Sequence, residues 1–200
     1  MELTQNNLQA RPIIICTLLF IPLGIAFYKY EKYIPTFAGS HEALTSNEIS
    51  HLIKTKPITS IEVFKNQRIL LLKSDQEVIR RYPIRLGFNP EGHKNFENDG
   101  KTPEGVYSID WRNPKSAFYK SLHISYPNTQ DVAYAKQHNQ PAGGNIMIHG
   151  SAPKSFLWIP FSSSYIPHKD WTLGCIAVRN VDIDEIWQLV PNHTKIIIYP

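Results

Sequence analysis

At 200 residues, with 42% apolar and 19% charged side chains, the chain is long enough for one globular domain plus an extra segment, and too apolar for a disordered protein. Its net charge of +4 comes from scattered lysines and arginines without a basic stripe, which argues against nucleic acid as a partner and suits a polyanionic surface such as a cell wall. Cys16 and Cys175 lie in separate segments, which argues against a disulfide and leaves Cys175 as an unpaired thiol in an otherwise cysteine-free domain.

The first segment, Pro12 to Phe27 (PIIICTLLFIPLGIAF), carries no charge. It is slightly shorter than the ~20 residues of a standard span, with Tyr28 and Tyr30 available as interfacial anchors. Residues 1–30 therefore read as an N-terminal membrane helix acting as a signal anchor, with a cleaved signal peptide as the alternative. Arg11 precedes the run while Lys29 and Lys32 follow it, so the charge count alone does not orient it. Residues 31–56 contain Pro35, Gly39 and Ser40 and read as a linker, in which Ser46-Asn47-Glu48 caps a short helix reaching Lys54.

The main domain, 57–200, opens as a β meander. Ile61–Val63, Arg68–Lys73 and Val78–Leu86 are strands separated by the turns Lys65-Asn66-Gln67 and Ser74-Asp75-Gln76. Asn89 to Gly105 is polar and rich in Gly and Pro, hence a loop. Val106–Trp111 and Ser121–Tyr126 are further strands, and Asp131–Gln137 is a short helix. Ile146–Ile148 is an apolar strand ending at His149-Gly150, and Ile176–Val178 is another, directly after Cys175. Ile183, Ile186, Trp187 and Val190 recur at helical spacing behind an acidic first turn, so Asp182–Leu189 is a helix. Lys195–Tyr199 (KIIIY) closes as a strand. The fold class is mostly β, a β-rich α+β domain with two or three short helices.

His149 and Cys175 both stand where apolar strands meet loops, the placement that suits reactive side chains. A thiol needs a neighbouring base to react near neutral pH, and imidazole is the usual one. Gly174 permits a sharp bend that would turn the N–H groups around Cys175 toward an oxyanion. A purely structural role for both residues stays open on spacing alone. The stretches Pro141–Gly150 (PAGGNIMIHG), Asp170–Val178 (DWTLGCIAV) and Asp99–Gly105 (DGKTPEG) resemble the signature of the L,D-transpeptidase (YkuD-type) catalytic domain family. The likeness covers roughly 58 to 199.

That resemblance implies a β-sandwich-like catalytic fold, Cys175 as nucleophile, His149 as base and then acid, and no cofactor or metal. Gly174 and Gly150 are expected as oxyanion or loop support, and Thr172, Trp171 and Asn145 as substrate contacts. The implied substrate is a peptidoglycan stem peptide attacked at its third residue, a diamino acid, with D-alanine leaving. An amine of another stem, or of a wall-anchored protein, would take the acyl group. The domain would then lie on the periplasmic face of the inner membrane, or free in the periplasm after cleavage of the signal. Two positions depart from the pattern: Leu173 stands where many members carry His, and Ala177 where many carry Arg, with Arg179 two residues further on. Those departures keep two alternatives in view, a hydrolase using the same pair and a non-catalytic wall-binding module. His168 and Asp170 beside Cys175 and His149 raise a metal site as another alternative, without the tight spacing that zinc sites show. Phe156–Phe161 (FLWIPF) is an apolar insert suited either to a lid, to a membrane surface or to the core.

Overall fold

The computed structural model describes residues 42–151 and 166–200. The N-terminal apolar run and the Phe156–Phe161 insert lie outside the described residues. Among the described residues no helix is long and apolar enough to cross a membrane.

The described chain opens with helix α1 (Ser46–Thr55). Its cap falls one residue before the expected Ser46. Thr45 Oγ1 accepts from the Glu48 N–H at 3.3 Å while the Glu48 carboxylate accepts from the Thr45 N–H at 2.8 Å, a reciprocal box that satisfies two orphan donors. Strands β1 (Ser60–Phe64), β2 (Ile69–Ser74) and β3 (Glu77–Pro83) then form the expected antiparallel meander. β8 (Lys195–Tyr199) lies parallel to β1, with Ile196 opposite Ile61 and Ile198 opposite Val63, so two alternating apolar rows coincide in the core.

The second half continues from β8. β4 (Gly105–Ser116) pairs with β8, β5 (Tyr119–Ile124) with β4, β6 (Met147–Gly150) with β5, and β7 (Ile176–Val178) runs parallel to β6. The full order is β3-β2-β1-β8-β4-β5-β6-β7 in an eight-stranded sheet. β4 is twice the expected length because two register shifts let it carry on through Asn113-Pro114 to the hairpin with β5. β3 ends at Pro83, short of the expected Leu86. The residues beyond it leave β2 and cross to the far edge, where Arg85 and Ala177 exchange both backbone hydrogen bonds, each 2.8 Å. The fold is thus mostly β, and its layers are two halves of one curled sheet whose ends meet. Ile61, Leu72, Ile109, Leu122, Ile148, Ile176 and Ile196 fill the interior.

Helix α2 (Thr129–Gln137) is capped by Asn128, and helix α3 (Asn180–Leu189) packs over β5 and β6 and against α1. Ile183, Ile186 and Leu189 bury its apolar stripe as their spacing demands. One of its two buried carboxylates joins three elements: Glu185 accepts from the Leu44 N–H at 2.7 Å, from Arg80 at 2.9 and 3.0 Å and from Tyr82 Oη at 3.0 Å. Removing that carboxylate takes the ion-pair partner from half-buried Arg80 and an acceptor from the buried Tyr82 hydroxyl. Glu185→Ala should therefore cost about 3 kcal/mol, read as a lower urea midpoint at unchanged slope.

Candidate active site

The cysteine turn is built by close backbone approach. Gly174 sits at φ +130°, and a Cβ there would lie 2.5 Å from the Lys101 carbonyl oxygen, so only glycine fits. A Cβ on Gly87 would lie 2.0 Å from the Gly100 oxygen. The Asp99–Gly105 loop is thereby pressed against both the Gly87 crossover and the Gly174-Cys175 bend. Lys65, almost fully buried, holds that loop from beneath by donating to the Gly92 and Thr102 carbonyls and to Glu104.

Thr172 was expected to meet substrate, but it is buried and both of its hydroxyl roles are internal. It accepts from the Gly174 N–H at 3.1 Å and donates to the Cys175 carbonyl at 2.7 Å. The Gly174 amide is therefore spent on the turn, and Gly174 contributes shape rather than an oxyanion donor. Asn145 contributes its backbone: the Cys175 thiol donates to its carbonyl at 3.6 Å.

His149 stands on β6 in register with Ala177 on β7. Cys175 lies two residues before Ala177, so strand alternation gives it the same face as His149. His149 Nδ1 lies 2.7 Å from the Gly150 carbonyl, and because a carbonyl only accepts, Nδ1 carries the proton and Nε2 keeps a lone pair. The ring packs against Phe118, 5.0 Å between centroids, and edge-on to Trp171 at 5.7 Å. Trp171, expected as a substrate contact, is a wall of the imidazole slot, with its buried indole N–H unpartnered among the described residues. Gly150 leaves room for Asn180, whose Oδ1 would lie 2.3 Å from a Cβ there.

Burial pulls the His149 imidazole down to about 4, against the opposing pull of the Gly150 carbonyl. Burial likewise pushes the Cys175 thiol up, with the Met147 N–H and the Lys94 charge acting the other way. At neutral pH the pair thus rests as thiol and free base rather than as an ion pair.

Asp99 opens the DGKTPEG stretch already noted in the sequence, whereas nothing there singles out Lys94, its partner. Lys94 is buried and donates to Asp99 at 2.9 Å and to the Phe96 carbonyl at 2.9 Å. Burial would raise the Asp99 carboxyl, but Lys94 and the N–H groups of Lys101, Phe96 and Asn95 together hold it below its usual range. A lysine five residues ahead of an Asp-Gly turn was the available signal, and it is too common to single out. Arg179 folds back on Asp182 at 2.6 and 2.7 Å and caps α3, so it supplies no charge to the thiol. Asp170 is held by Arg68 and by the Leu86 N–H. Among the described residues no three His, Cys, Asp or Glu side chains gather as a metal site.

A family model described as the L,D-transpeptidase catalytic domain matches residues 58–198. The chain belongs to that family. YafK of Escherichia coli K12, itself only provisionally named an L,D-transpeptidase, is 30% identical over 161 residues, which cover 76% of this chain and 55% of YafK. This L,D-transpeptidase domain chain therefore spans about half the length of the curated relatives it matches. The solved structure of Bd1075 from Bdellovibrio bacteriovorus is 28% identical at a TM-score of 0.50, over 73% of this chain and 49% of that one. The helical cell shape determining protein Pgp2 from Campylobacter jejuni shares the fold, with a TM-score of 0.51 and 22% identity over 77% of this chain and 55% of that one.

A neutral resting pair has a kinetic signature. Alkylation of Cys175 by iodoacetamide should be slow at pH 6 and rise with pH beyond 9, because burial holds the thiol above its ordinary value. A flat, fast plateau between pH 5 and 8 would mean a preformed thiolate. His149→Ala should leave the rise in place, since the imidazole carries no charge above pH 4 to 5.

Proposed function

We propose that this domain is a peptidoglycan L,D-transpeptidase acting through Cys175. The observation that carries the reading is His149, anchored through Nδ1 at 2.7 Å to Gly150, with an unprotonated Nε2 on the face that Cys175 shares. Family membership supports the same reaction class.

Cys175 Sγ attacks the carbonyl of the third, diamino residue of a stem peptide while His149 Nε2 takes the thiol proton. His149 returns that proton to the departing D-alanine amine, leaving a thioester on Cys175. An incoming amine, from a second stem peptide or a wall-anchored protein, then attacks the thioester and loses its proton to His149. The thiol is restored when that proton returns to sulfur. Neither partial reaction calls for a cofactor. The Cys175 amide is the donor we assign to the oxyanion, since the Gly174 amide is engaged with Thr172. A substrate of this kind lies outside the cytoplasmic membrane, so we place the domain on that side, tethered by the apolar run of residues 12–27.

The test is product analysis of the full chain with a stem tetrapeptide and an acceptor stem. D-Alanine release together with a crosslinked dimer is expected. Cys175→Ala should abolish both, and His149→Ala should slow both by about a hundredfold or more. Freed tripeptide without dimer would assign water as the acceptor. An intact tetrapeptide would contradict the proposal.

A further inference from the structure

A second cluster of chemistry-bearing side chains lies on the same sheet face as the reacting pair. His123 on β5 is the register partner of Met147 on β6. Ile148 partners Ile176, so Cys175 is level with Met147 in turn. His123, Met147 and Cys175 therefore form one row across the strands, its ends two strand spacings or about 9.5 Å apart along the backbone. Leu122 and Ile124, fully buried, point to the opposite, core side.

His123 is held in a defined state. Its Nδ1 lies 2.6 Å from Asp110 Oδ1, so Nδ1 donates to the carboxylate. Its ring stacks on Trp111, 4.8 Å between centroids and 16° between planes. Asp110 lies across on β4, so the ring geometry turns Nε2 away from β4. Trp111 is 41% exposed, an apolar wall open to solvent. Among the described residues Lys94 is paired with Asp99 and Arg179 with Asp182.

We propose that His123, positioned by Asp110 and Trp111, is a subsite for the distal carboxylate of the acyl donor's diamino residue. The inference rests on the stem-peptide reading above and names the contact that recognises that residue. A diamino acid with three side-chain methylenes puts its far carboxyl carbon ~7.5 Å from the reacting carbonyl, with bonds near 1.5 Å. That reach matches the row from Cys175 to His123. The ring must take up a proton on Nε2 as the carboxylate binds; it then donates from both nitrogens, to the ligand carboxylate and to Asp110, with Trp111 covering one ring face.

The test measures binding to the full chain carrying Cys175→Ala, by calorimetry, with two stem tetrapeptides: one with the distal carboxylate free, one with it as the amide. The free acid should bind about tenfold tighter or more, and adding His123→Asn should erase the difference. Asp110→Asn keeps the shape but removes the anion, and should shrink the preference. Equal binding of the two peptides, or a preference that survives both substitutions, would overturn the subsite. Turnover separates this from the reaction itself. Tetrapeptide cleavage by His123→Asn at an unchanged KM would remove the subsite and leave acyl transfer standing. A peptide bound with the expected preference but never cleaved by the unsubstituted chain would remove acyl transfer and support the subsite.

Discussion

The paired backbone hydrogen bonds between Arg85 and Ala177 set the geometry on which the active site depends. They bring the chain leaving β3 onto the short parallel strand that follows Cys175. Gly87 then packs on Gly100, and the Trp171 and Thr172 amides donate to the Leu86 carbonyl. The cysteine turn is thus clamped between residues distant in sequence. Its conformation needs little help from its own side chains beyond the Thr172 hydroxyl and the freedom of Gly174.

That clamp also sets the electrostatics. Closing the sheet buries the imidazole between Phe118 and Trp171, which disfavours its charged form. The same burial disfavours the thiolate, which favours a proton on sulfur in the free enzyme. On the proposed reaction, proton transfer to His149 would accompany carbon–sulfur bond formation, with a base of low basicity but fixed orientation. Lys94, buried on the loop that the clamp compresses, opposes the thiol's upward shift without touching it.

Much of this architecture is legible in the sequence where periodicity carries the information. The meander from Ile61 to Tyr82, the KIIIY strand and the helix beginning near Asp182 follow from alternation and helical spacing. His149 and Cys175 stand out because each interrupts an apolar strand with a reactive group beside glycine. What escapes is non-local. The crossover at Arg85 makes a two-residue bridge with no pattern of its own, and β4 runs on past Pro114 because bulges absorb the break. The resemblance suggests Thr172 as a substrate contact, while the fold engages its hydroxyl with the Gly174 amide and the Cys175 carbonyl, partners that its place in the sequence does not announce. The pairings of Lys94 with Asp99 and of Asp110 with His123 have no distinctive signal in the sequence, because each partner comes from a different segment or turn.

The central claim is that Cys175 and His149 work as nucleophile and base. The most direct measurement is the intact mass of the full chain after exposure to a carbapenem, with the modified residue mapped. A single adduct on Cys175, lost in Cys175→Ala and strongly slowed in His149→Ala, is the predicted result. A folded protein that gains no mass, or gains it equally fast without the imidazole, would contradict the claim.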